Sequence, residues 1–197
     1  QAFIDHTKEV NSVYAFVPMI VYTYKKGANN LSQVEIKKMV KWFYYSQIRY
    51  RYISQLPQKL DKDLTIVINE SNPFDKLLNL IALERNLEIS PNEFEGVGIL
   101  HPLWGLMKFY FKSNNAVCLT TGINIRKNMG KKYELEWDHI FPYSVLRDNG
   151  YDMNNRIKYQ YAQEITNRAI LTAVANRTKS AQSAESYLAE VKEKFPN

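Results

Sequence analysis

The chain has 197 residues, 45% hydrophobic and 23% charged, enough for one or two ordinary globular domains with a normal core. A formal charge of +6 and a pI near 9.2 suit a polyanionic partner without demanding one. A single cysteine excludes an intrachain disulfide and a cysteine-built zinc cluster, and with three histidines few catalytic constellations remain.

The chain opens on Gln1 and has no basic-then-apolar leader, so it reads as the C-terminal part of a longer protein kept in a reducing cytoplasm. The apolar stretch 13–24 is too short to span a membrane and is interrupted by tyrosines. Ser32 and Glu35 have capping-box spacing, and Ile36, Met39, Val40 and Phe43 repeat at helical intervals behind them. Asn72 before Pro73 marks another helix start, followed by Leu77, Leu78 and Ile81. Leu100, Leu103, Trp104 and Met107 predict a further buried helix face. Turn residues at 27–30, 56–57 and 90–92 separate these segments. Lys37, Lys38, Lys41, Arg49 and Arg51 read as solvated helix surface, with DNA contact as the competing reading. Trp42, Trp104 and the aromatics at 109–111 are expected in the core, Cys118 as a small buried group, and His101 in a structural role. His6 carries no signal.

The character of the chain changes near residue 115, which predicts a helical domain over 1–115 and a second domain over 116–197. Gly122–Ile125 is short and carries β-branched residues, and Tyr133–Trp137 alternates apolar and polar as a half-buried strand does. Ala169–Thr172 is the expected partner strand. Between them lies a loop-rich insertion with Asp148-Asn149-Gly150 and Asn154-Asn155. Beyond Asn176 a helix is expected with Tyr187, Leu188 and Val191 on one face. The expected fold is mainly α, a helical domain followed by strand, insertion, strand and helix.

The residues that carry chemistry are Asp138-His139-Ile140-Phe141-Pro142, Asn167, and Asn176-Arg177-Thr178-Lys179-Ser180. Hydrolysing a phosphodiester requires a base for the attacking water and a cation for the charge that builds on phosphorus and on the leaving oxygen. A neutral histidine serves as the base because its pKa lies near working pH. Asp138 with the Asn176 carbonyl is a hard oxygen set, suited to one Mg²⁺ or Mn²⁺ with water completing the shell, whereas zinc lacks a second His or Cys there. In an extended chain Asp138 and His139 point to opposite sides, so a bend must bring both to one site. Asn167 is placed to pin the loop that carries His139, and Arg177 and Lys179 to hold flanking phosphates.

These elements resemble the HNH (ββα-metal) nuclease motif, including its form in the RNA-guided CRISPR effector nucleases. The helical half, through Tyr50-Arg51-Tyr52 and Lys59-Leu60-Asp61-Lys62-Asp63-Leu64, is similar to the C-terminal region of GmrSD-type restriction endonucleases. The resemblance implies a small ββα-metal module in which His139 is the general base, Asp138 and Asn176 bind one metal ion, and Asn167 supports the loop. It implies a DNA partner, duplex and in many relatives modified, and an upstream nucleotide-binding module in the full-length protein. The chain departs from the motif's name in having Asn176 where a histidine gives the last letter, which reads as a matter of metal choice. One such site cuts one strand, so a duplex break needs two events or two copies, as in a homo-oligomer. A catalytically silent DNA- or partner-binding module, and an RNA-cleaving toxin on the same scaffold, are the competing readings.

Overall fold

A computed structural model describes residues 3–4, 10–125 and 135–196. His6 and the first two residues of the expected strand, Tyr133 and Glu134, lie outside them. The chain divides into two units, Gln1–Ile89 with Leu100–Leu106 and Ser90–Ile99 with Met107–Asn197.

The first unit is built on four helices: α1 (Phe16–Lys26), α2 (Gln33–Ile48), α3 (Leu56–Asn69) and α4 (Pro73–Glu84). Helix α2 starts where the sequence predicts. The Ser32 hydroxyl accepts from the Glu35 amide, and the Glu35 carboxylate accepts from the Ser32 amide, so two orphan donors of the first turn are satisfied. Helix α4 begins at Pro73, whose missing N–H is no loss in a first turn. Helix α1 packs on α3, and α2 and α3 pack on α4. Between them lie Trp42, Phe43, Tyr22, Val67, Phe74 and Leu77, all buried, with Phe74 edge-on to Tyr22 at 5.1 Å.

Arg51 corrects its expected solvated placement. It is 3% exposed, and its guanidinium donates through Nη2 (2.8 Å) and Nε (3.2 Å) to Asp63, itself fully buried. The Tyr52 hydroxyl donates to the same carboxylate at 2.6 Å, and Arg51 Nη1 reaches Glu84 at 2.6 Å. The two stretches that carry the helical-half resemblance are therefore in contact. A charge pair this deep is tolerable only because every partner is supplied. Its place follows from the turn after α2, where Tyr50 takes a left-handed backbone (φ 54°) and swings Arg51 inward.

Helix α5 (Pro102–Ser113) buries Leu103 and Trp104, while Leu100 precedes the helix and is 97% exposed. The His101 imidazole accepts from the Leu103 amide at 3.2 Å. Of the aromatics at 109–111, Tyr110 is exposed.

In the second unit the short segment Gly122–Ile125 runs back from a turn at 119–121 and pairs with residues 116–118, through a bridge between Val117 and Asn124. Strand β1 (Leu135–His139) pairs antiparallel with β2 (Arg168–Thr172), in the register Glu136 with Leu171, Trp137 with Ile170, Asp138 with Ala169 and His139 with Arg168. The insertion between them contains two short helices, α6 (Tyr143–Asp148) and α7 (Arg156–Ala162). Asn155 caps α7 by accepting from the Lys158 amide, so the asparagine pair read as loop is partly a helix start. Helix α8 (Ala173–Lys179) follows β2 with no linker, because the buried Thr172 hydroxyl caps it by accepting from the Ala175 amide. Cys118 is buried and its sulfur accepts from the Thr172 amide at 3.4 Å, bracing the junction. Helix α9 (Ala184–Lys194) buries Tyr187 and leaves Leu188 half exposed. The described residues are mainly helical with one small two-stranded antiparallel sheet.

Candidate active site

Strand alternation separates the site into two faces. Glu136 and Asp138 project toward α8, whose Asn176 and Lys179 stand one turn apart and so share a helix face. The Asn176 side-chain amide donates to Glu136 at 2.7 Å, and the Lys179 ammonium donates to Asp138 at 2.6 Å. Opposite Asp138 on β2 is Ala169, whose small side chain leaves room for the lysine. Lys179 also donates to the His139 carbonyl at 2.7 Å and lies 5.5 Å over the Tyr187 ring.

Lys179, expected at a flanking phosphate, is turned inward. Its side chain is 1% exposed and its charge is committed to Asp138. Asp138 and Asn176, expected to bind one metal ion, each hydrogen-bond to a different partner across the strand–helix contact. Arg177 lies on the outer side of α8 and is exposed.

His139 lies on the other face, at the last position of β1. The bend comes at Ile140, one residue too late to turn Asp138 and His139 onto the same face. The two can serve one ligand only around the open end of the strand. The imidazole stacks on Tyr143 of α6 at 5.8 Å, and Tyr143 meets Tyr159 of α7 edge-on. Nε2 is 3.3 Å from Gln163 Oε1, and Nδ1 is 3.3 Å from Arg168 Nη1. A guanidinium has no acceptor, so Nδ1 receives that bond and the ring proton sits on Nε2, facing the Gln163 carbonyl. Burial holds the His139 pKa below the ordinary histidine value, and the Arg168 charge adds to it. That shift favours the neutral ring.

Asn167 pins the chain that leaves β1. Its side-chain oxygen accepts from the Phe141 amide at 2.9 Å, its side-chain amide donates to the Ala162 carbonyl at 3.0 Å, and its backbone carbonyl accepts from the Ile140 amide at 3.0 Å. One residue thereby ties the loop after His139 to the end of α7.

Among the described residues no cluster of three His, Cys, Asp or Glu could hold a metal ion. Asp138, the Asn176 carbonyl and Glu136 nonetheless form a hard oxygen set that fits Mg²⁺ or Mn²⁺ by chemistry. The Asn176 nitrogen is used by Glu136, which leaves its oxygen as the coordinating atom. Lys179 engages Asp138 through Oδ2, so an ion there must use the other oxygen or displace the ammonium.

Sequence reasoning missed Glu136, Gln163 and Arg168 as site residues. Glu136 was legible in principle, two places before Asp138 on the same strand face. Arg168 and Gln163 flank Asn167, but only the strand register and the end of α7 turn them onto His139. No protein-family model matches the chain, and no curated protein and no solved structure is similar to it.

Proposed function

We propose that the second unit is a metal-dependent DNA endonuclease of the HNH type, the catalytic part of an anti-phage restriction enzyme. The observation that carries this reading is a half-buried histidine at the end of β1, beside a carboxylate, with its following loop pinned by Asn167 and an antiparallel partner strand leading straight into α8. His139 takes a proton from water as the water oxygen bonds to phosphorus. The bond from phosphorus to the 3′ oxygen breaks, and that oxygen leaves with a proton from solvent, giving 5′-phosphate and 3′-hydroxyl ends. A divalent ion at Asp138 and Asn176 would supply charge neutralisation for the departing oxygen. Arg177, exposed on α8, is the residue offered to a flanking phosphate.

The test is plasmid nicking with Mg²⁺, with Mn²⁺ and with EDTA, beside His139→Ala. Metal-dependent nicking lost in the variant is the expected result, and nicking retained by His139→Ala refutes the base assignment. Binding without nicking in any metal points to the silent binding module. Cleavage of RNA in preference to DNA points to the toxin reading.

A further inference from the structure

Arg168 is a half-buried cation whose hydrogen bonds all go to neutral groups. It donates to Gln163 Oε1 at 2.6 Å, to His139 Nδ1 at 3.3 Å and to the Trp137 carbonyl at 3.4 Å. Its Nε is buried and has no hydrogen-bond partner. Two other deeply placed cations behave differently: Arg51 is bound to Asp63 and Lys179 to Asp138. Asp138 acts on its charge from a distance, but no carboxylate hydrogen-bonds to it. A half-buried guanidinium with an idle N–H and no carboxylate in hydrogen-bonding contact is an electrostatic complement for an anion. It stands beside the one nitrogen of His139 that could accept a proton.

We propose that Arg168 binds a non-bridging oxygen of the phosphodiester to be cut, and that this contact draws the guanidinium off His139 Nδ1. In the ligand-free protein the arginine caps the lone pair that the reaction needs. An arriving phosphate offers charge and two acceptors, which outcompete one long bond to a neutral ring. The base is then uncovered only when its substrate is seated. This inference rests on the nuclease reading, and it deepens that reading by naming the phosphate anchor and how the base is freed.

The test is binding of a short DNA duplex in EDTA, without cleavage, as a function of salt, for the wild-type protein, Arg168→Gln and Arg168→Lys. Arg168→Gln is expected to bind about tenfold or more weakly at low salt and to lower the slope of log affinity against log salt by about one. Arg168→Lys is expected to restore the slope, because the charge returns without the fork. Unchanged affinity and slope in Arg168→Gln overturn the proposal. So does equal weakness of the Lys and Gln variants, which makes the role one of packing, and so does a wild-type protein that does not bind the duplex. If Arg168→Gln fails to fold, Arg168→Met, which keeps an apolar stem and loses the charge, decides by the same slope against wild type.

The ¹⁵N shifts of the His139 ring report the second half of the proposal. They are expected to move when duplex is added to wild type, and to start near that position in Arg168→Gln without DNA. A wild-type ring signal unmoved by bound duplex overturns the uncapping. Absence of nicking with these binding results intact would sink the nuclease reading and leave the phosphate site standing.

Discussion

Asn167→Ala is the substitution that tests how the site is held. It removes the acceptor of the Phe141 amide (2.9 Å) and the donor to the Ala162 carbonyl (3.0 Å). The 3.4 Å contact to the Phe141 carbonyl is too long to add much. At about 1 kcal/mol net for each good bond, the loss is about 2 kcal/mol. Phe141 is 57% exposed, so water can reach its freed amide and the full penalty of a buried orphan does not apply there. For a chain of this length about 2 kcal/mol lowers Tm by roughly 4–8 °C. The functional effect should be larger in proportion, because a base displaced by about 1 Å loses roughly 100-fold in rate. The assay pairs thermal unfolding with nicking rate and duplex affinity. The expected outcome is a modest fall in Tm, a large fall in rate and unchanged affinity. A variant with wild-type Tm and wild-type nicking would refute the loop-pinning argument.

Other perturbations read other parts of the molecule. Nicking should rise with pH to a plateau whose midpoint lies below the ordinary histidine value near 6.5, since burial and the Arg168 charge depress the His139 pKa; a midpoint at or above pH 7, with chemistry limiting, contradicts this. The same depression means that the folded protein binds fewer protons at this site than the unfolded chain. Its contribution to stability is therefore full above pH 6.5 and declines as pH falls toward the folded-state value. Asp63→Ala strands the buried Arg51 and should destabilise the first unit by about 3–5 kcal/mol in denaturant unfolding; a loss under about 1 kcal/mol would show that water reaches the pair. Lys179→Met removes the ammonium from Asp138, so Mn²⁺ should raise the Tm of this variant more than that of wild type; an equal rise in both would place the ion away from Asp138.

Local elements were legible in the sequence because near neighbours decide them. The capping box at Ser32 and Glu35 and the Asn72-Pro73 start follow from side chains a few residues apart. Asn167 was singled out only through its place in the motif, and its bond to the Phe141 amide, 26 positions back in the loop after β1, is a tertiary contact. The helices of the insertion were hidden, since Asn-rich stretches serve turns and helix caps alike.

The partners of the charged residues were decided by tertiary structure alone. Lys179 meets Asp138 across 41 positions of chain, through the phase of α8 on β1, and Arg168 meets His139 across 29, through strand register. Arg51 looked like surface by its neighbours and is buried because a left-handed Tyr50 turns it toward Asp63. Residue types determined which chemistry the chain has to offer. Register and helix phase set which groups face one another, and so gave the lysine to the carboxylate and the arginine to the base.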